Sequence, residues 1–333
     1  MAYTTIDNPE LFFQTVLYTG NGSDDRDITL PGDEDMQPDL VWLKSRDTNN
    51  YNHFWTDSVR GVTKYIKSDG TSAENTLSGS VKAFNSDGFR VGTEADVNNN
   101  TTTYVAWCWK ENTTAGFDIV TYTGASGDQT FAHSLGVAPE WYLVKERGNV
   151  NSWVVNHIGL ANQTNAYLLL NTNDAAGTDS WFNSTAPSSS VVHANDGDSP
   201  TNRNGGTYVM YLWRSVKGFS KFGSYIGNGN ADGTFVYTGF KPAWVMIKNL
   251  GSGHDWWVLD NKRDINNPTN ARIVANEANA EDSAANSNDF LSNGFKCRAS
   301  NTADVNGSGD TMIYMAFAES PFVNSNGVPT NAR

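Results

Sequence analysis

Eleven tryptophans in 333 residues invite a search for sugar chemistry, because an exposed indole offers a flat apolar face with one polar N–H at its edge. Trp55, Trp153 and the adjacent pair Trp256-Trp257 are the carbohydrate-binding candidates, each in a strand or hairpin that follows an apolar run. Successive strand residues point to opposite faces, so one of Trp256 and Trp257 either faces outward as a sugar platform or packs against the adjacent domain. Trp42, Trp141 and Trp244 lie inside the apolar runs themselves and read as core.

Catalytic chemistry finds less to work with. The sequence contains no Gly-x-Ser-x-Gly elbow, no phosphate loop ending in Gly-Lys-Ser/Thr and no His-Glu-x-x-His. Five histidines (His53, His133, His157, His193 and His254) are scattered, none at metal-ligand spacing with another. A carboxylate pair for glycosidic cleavage would draw on residues such as Glu140, Asp255 and Glu277, but no acid recurs at a fixed step along the chain. Asp304 to Asp310 begins like a calcium loop, and then places Met315 where a bidentate Glu is required. Asp24-Asp25 and Asp196-Gly197-Asp198 remain candidates for surface calcium. A non-enzymatic protein without a cofactor is the expectation.

The net charge is −13 and the sequence pI about 4.7. An acidic surface repels phosphate, which argues against nucleic acid and anionic membranes as partners. The start, Met1-Ala2-Tyr3-Thr4-Thr5, lacks a basic, apolar leader, and the apolar runs are strand-length. Cys108 and Cys297 sit at non-matching places, so buried free thiols are expected rather than a disulfide framework.

The elements that must position these residues are written three times. Pro38-Asp39-Leu40-Val41-Trp42-Leu43-Lys44, Pro139-Glu140-Trp141-Tyr142-Leu143-Val144-Lys145 and Pro242-Ala243-Trp244-Val245-Met246-Ile247-Lys248 are spaced by 101 and 103 residues. Each reads as a strand that enters a core after a proline and leaves it for water at the lysine. Tyr18-Thr19-Gly20, Tyr122-Thr123-Gly124 and Tyr225-Ile226-Gly227 precede these runs, and strands opening on Tyr104, Tyr208 and Tyr314 follow them. Three markers in one order at one period indicate tandem copies of a unit large enough to close a core.

Asn, Asp, Ser and Gly crowd between short apolar runs, as turns between strands require. The expected fold is therefore all-β: three tandem antiparallel β-sandwich (jelly-roll-like) domains with extended terminal arms. The boundaries are an N-terminal arm at 1–10, repeats at 11–112, 113–215 and 216–319, and a C-terminal tail at 320–333. The short joints predict that neighbouring repeats touch.

Phrases such as Gly239-Phe240-Lys241-Pro242-Ala243-Trp244-Val245-Met246-Ile247-Lys248 and Ile313-Tyr314-Met315-Ala316-Phe317-Ala318-Glu319-Ser320-Pro321-Phe322 resemble those of tandem-repeat, tail-fibre-like structural virion proteins of marine bacteriophages. The resemblance implies a structural protein on the exterior of a virion, a tail fibre, appendage or capsid decoration made in the bacterial host cytoplasm. Its implied partners are other virion proteins and further copies of the chain. It assigns no functional residue. The alternative is an adhesin that attaches to a host surface glycan through exposed aromatics.

Overall fold

A computed structural model describes residues 3–195, 197, 200–300 and 302–331. Repeat 1 supplies β1 (Phe13–Thr19), β2 (Arg26–Thr29), β3 (Leu40–Ser45), β4 (Phe54–Asp57), β5 (Lys64–Lys67), β6 (Asn75–Thr76), β7 (Val81–Asn85), β8 (Gly88–Val91) and β9 (Thr103–Trp109). Repeat 2 supplies β10 (Phe117–Thr123), β11 (Gln129–Ala132), β12 (Trp141–Glu146), β13 (Val154–His157), β14 (Ala166–Leu169), β15 (Gly177–Thr178), β16 (Val191–Ala194) and β17 (Thr207–Trp213). Repeat 3 supplies β18 (Ser220–Ile226), β19 (Phe235–Tyr237), β20 (Phe240–Asn249), β21 (Trp257–Asp260), β22 (Thr269–Val274), β23 (Asp282–Leu291), β24 (Gly294–Cys297) and β25 (Thr311–Pro321). Two four-residue helices, Ala95–Asn98 and Ala303–Asn306, share the sequence Ala-Asp-Val-Asn. No described helix is long and apolar enough to cross a membrane.

The chain is all-β and its strands pair antiparallel. Repeat 1 forms a sheet in the order β1-β9-β3-β4-β5-β6, and repeat 2 repeats it as β10-β17-β12-β13-β14-β15. Repeat 3 begins the same way, β18-β25-β20-β21-β22, and continues through β23-β24-β19, bending round so that its two edge strands are consecutive in the chain. Short second sheets, β2-β8-β7 and β11-β16, complete the first two repeats. The registers match in the first two repeats, where Tyr18 faces Tyr104 and Tyr122 faces Tyr208, whereas in the third Tyr225 faces Met312, two positions from Tyr314.

The apolar runs are continuous because both faces of these sheets are buried. Alternate residues of β3, β12 and β20 serve different cores. Leu40 and Trp42, Trp141 and Leu143, and Trp244 and Met246 enter one central cluster. Val41 and Leu43, Tyr142 and Val144, and Val245 and Ile247 enter three separate clusters, one per repeat. The central cluster draws on all three repeats, so the largest core is shared rather than divided among self-contained units. It is packed with rings: Trp42 lies 4.5 Å from Trp55, Trp141 4.2 Å from Trp213, and Phe13 of the first strand 5.2 Å from Phe317 of the last.

The recurrent Tyr-x-Gly has a steric cause. A Cβ on Gly20, Gly124 or Gly227 would stand 2.0, 2.3 or 2.3 Å from the carbonyl oxygen of Asn99, Arg203 or Gly307. Next to each glycine a buried asparagine (Asn98, Asn202 or Asn306) accepts a 3.0 Å hydrogen bond from a turn amide and donates two to carbonyls. The tyrosines Tyr18, Tyr122 and Tyr225 donate to carbonyls of Val97, Thr201 and Val305 at 2.6–2.7 Å.

The termini are not extended arms over their described lengths. Thr4 and Ile6 are buried, Thr4 donates to Lys217 O at 2.8 Å, and Tyr3 donates to Gly239 O at 2.9 Å. The tail turns back on itself through a Val323–Pro329 bridge, and Thr330 N donates to Phe322 O. Ser325 joins Asp7, tying the two termini together beside repeat 3. Polar segments with few apolar residues can order in this way when existing backbone groups satisfy theirs.

Candidate functional site

The tryptophans read as sugar platforms cannot serve as such. Trp55, Trp153 and Trp256 are 0% exposed and Trp257 2%. Trp256 and Trp257 do point to opposite faces, and both pack: Trp256 enters the central core and Trp257 the core of repeat 3. Arg272 further covers Trp257, its guanidinium 4.3 Å from the ring centroid. Trp42, Trp141, Trp244, Tyr104, Tyr208 and Tyr314 are all buried.

Trp153 and Trp256 instead join repeats. Trp153 Nε1 donates to Lys67 O at 2.8 Å, and Trp256 Nε1 to Leu169 O at 3.0 Å. His53 occupies the matching place in repeat 1, its Nε2 3.0 Å from Val274 O, and its Nδ1 receives the Trp42 indole N–H at 2.8 Å. Backbone bonds follow the same cycle: Glu74 N to Arg147 O, Ala176 N to Leu250 O, and Glu281 N to Arg46 O. Repeat 1 thus rests on 2, 2 on 3, and 3 on 1, leaving three equivalent seams in a closed ring.

Two seams bury charge. At seam 1–2, Arg60 pairs with Asp57 and reaches Glu74 at 3.1 Å, while Glu74 meets Arg147 at 2.9 Å. Tyr211 donates to Asp57 at 2.7 Å. At seam 3–1, Arg263 holds Asp260 and Glu281, Glu281 meets Arg46 at 2.9 Å, and Trp107 Nε1 donates to Asp260 at 2.9 Å. Burial alone would lower the Arg60 pKa, but the carboxylates of Asp57 and Glu74 outweigh it and raise the value. Seam 2–3 has none of this: the corresponding residues are His157, Leu160, Ala176, Leu250 and Met315. Burial presses the His157 pKa down to about 3, and its Nε2 lies 3.1 Å from Tyr314 O. Asp57-x-x-Arg60 and Asp260-x-x-Arg263, 203 residues apart, were the sequence signal for these quartets.

The lysines that end the apolar runs do not emerge into water. Lys44, Lys145 and Lys248 are fully buried. Their ammonium groups donate to Ser45 O at 3.0 Å, Glu146 O at 2.8 Å and Asn249 O at 2.5 Å. Burial holds each pKa down to about 8.

The other chemical candidates are occupied or apart. Lys82 bridges Asp24 and Asp25 at 2.9 and 2.8 Å, filling the place proposed for a cation. Asp196 and Asp198 lie outside the described residues. Among those described, no group of three or more His, Cys, Asp or Glu side chains could hold a metal ion. Glu140 accepts from Ser215, Asp255 from Asn276 and Glu277 from Asn279, so each carboxylate has its own local partner. His133 and His254 contact Ser188 O and Asp304. Cys108 and Cys297 are free and buried, with burial raising both thiol pKa values.

The rims of the seams differ among the three copies. Seam 1–2 carries Asp39, Glu111 and Asp118; burial and then the Asp118 carboxylate push the Glu111 pKa up to about 7. Matching positions carry Ala243, Glu319 and Gln14 at seam 3–1, where Glu319 is held by Lys241 at 2.7 Å. At seam 2–3 they carry Glu140, Ser215 and Lys221, and two adjoining open troughs of about 640 and 570 Å³ meet at Ser215 and Lys217.

A family model described as a domain of unknown function, DUF7483, matches residues 8–321. No curated protein matches the sequence.

Proposed function

Given that the chain belongs to the DUF7483 family, we propose that it is a non-enzymatic structural protein of a bacteriophage virion exterior, in a tail fibre, an appendage or a capsid decoration. The observation that carries this reading is the closed ring of three repeats around one buried aromatic core. Such an arrangement spends its buried polar groups on fixing repeat against repeat and leaves its loops and rims for contact with other molecules. We read each repeat as a β-sandwich whose second face is given up to the common core. The result is a knob and not a rod, because the third repeat returns to the first.

Two further points support the reading. Buried histidines and carboxylates are consumed by structural hydrogen bonds, and the cyclic contacts need no ligand to complete them. A net charge of −13 keeps such a knob soluble at high copy number. The test is peptide mass spectrometry of purified particles from cells that express the gene, followed by antibody-labelled electron microscopy. Label on the particle exterior is expected. Absence of the chain from purified particles, with the protein abundant in the lysate, would sink the proposal.

A further inference from the structure

We propose that the trough at the rim of seam 2–3 is a binding site for an acidic polysaccharide, a chain carrying uronate or sulfate groups. Such a site would bind its ligand whether or not the chain belongs to a particle. Three cations, Arg214, Lys217 and Lys221, line the trough within eight residues of sequence. Among the described residues, none of them lies within ion-pair distance of a carboxylate, whereas Arg46, Arg60, Arg147, Arg263 and Lys241 at the other seams all do. Glu140 is the one acid in the lining, and its carboxylate already accepts from Ser215. An acidic molecule thus keeps one rim basic.

The pseudo-equivalent seams act as internal controls. The position of Lys221 is Gln14 in repeat 1 and Asp118 in repeat 2, and that of Arg214 is Lys110 and Ala318. Among the three rims, only this one carries a cation at both positions, with Glu140 the one acid nearby and outside ion-pair distance of either. Arg214 is held for the purpose by Thr113 O at 2.8 Å and Ser215 O at 3.3 Å, which orient it without neutralising it.

The remaining lining favours sugar over other polyanions. Thr5, Thr113 and Thr114 present hydroxyl side chains that both donate and accept, as sugar hydroxyls do. Tyr237 is 47% exposed at the trough edge, with Phe235 beside it on the same face of β19 at 44%. Lys221 lies over the Tyr237 ring at 5.3 Å, and the Tyr3 hydroxyl is 3.2 Å from that of Tyr237. A ring anchored this way offers a rigid apolar face beside a cation, which suits a sugar bearing a carboxylate. An open trough, rather than a closed pocket, suits a polymer.

The probe is polygalacturonate, tested for retention of the full-length protein in affinity electrophoresis at about 20 mM and about 300 mM NaCl. Retention at low salt is expected, weakened at high salt, with dissociation constants about tenfold or more higher for the K217E/K221E variant. The Y237A variant should also weaken retention, and the K64E/K296E variant, with the same change in net charge, should not. Neutral dextran should not retain the protein. No retention by polygalacturonate at low salt, equal loss in K64E/K296E, or equal retention of the protein by poly-glutamate would each overturn the assignment.

Discussion

A lysine that has lost water leaves a mark on the pH dependence of folding. Lys44, Lys145 and Lys248 are buried with carbonyl partners only, and their pKa values fall from 10.5 to about 8. Below pH 8 they are charged in folded and unfolded chains alike, and the folded state bears the cost of desolvation in full. Between pH 8 and 10.5 the folded state releases protons that the unfolded chain still holds, so stability rises with pH in that window. Burial raises the pKa of Tyr18, Tyr122 and Tyr225, which reverses the trend above pH 10. The melting temperature is therefore expected to climb between pH 7.5 and 9.5, and to do so far less in a K44M/K145M/K248M variant. Differential scanning fluorimetry across that range checks it, and a flat wild-type profile would contradict the burial. These lysines also show why part of the molecule was hidden in the sequence. A lysine after an apolar run reads as a strand exit, and only the structure reveals the carbonyls that close over it, Ala278 O of repeat 3 for Lys44, Thr71 O of repeat 1 for Lys145 and Gly251 O of its own repeat for Lys248. Trp256-Trp257 left exposure and packing both open for a related reason, since alternation yields an exposed ring only when one side of the sheet meets solvent.

At the scale of elements, the seams show charge replaced as a group. Removing one member of a buried ion pair strands the other, at a cost of about 3–5 kcal/mol, whereas exchanging the whole set for apolar residues is often neutral. Seam 2–3 carries such an exchange already, with His157, Leu160, Ala176, Leu250 and Met315. R60L alone should destabilise by about 3–5 kcal/mol in urea denaturation. The combined D57H/R60L/E74A/R147L/Y211M variant, which copies seam 2–3 into seam 1–2, should recover most of that loss. Additive losses would mean that the quartet does not act as one unit. The repeat itself was legible because its markers are geometric necessities. Gly20, Gly124 and Gly227 approach a carbonyl too closely for any side chain, and the central strand must be apolar along its whole length to serve two cores. Which residues cross between repeats was not legible, because that depends on the cyclic closure and not on any one strand.

For the whole molecule, the shared core decides how folding behaves. Trp42, Trp141 and Trp244 meet the same cluster, so no repeat can keep its inner face dry without the other two. Unfolding in urea should be a single transition, coincident by tryptophan fluorescence and far-ultraviolet circular dichroism. Residues 113–215 expressed alone should lack a cooperative transition. Separate melting of three units would show that the satellite clusters suffice.

The stack of Phe13 on Phe317 carries a consequence for synthesis. The ribosome adds Phe317 some three hundred residues after Phe13, so the earliest strand waits for nearly the latest. Until the third repeat has been made, the inner faces of the first two lie open on the nascent chain, where chaperones or other copies can reach them. A premature stop near the end would therefore spoil the first repeat as much as the last.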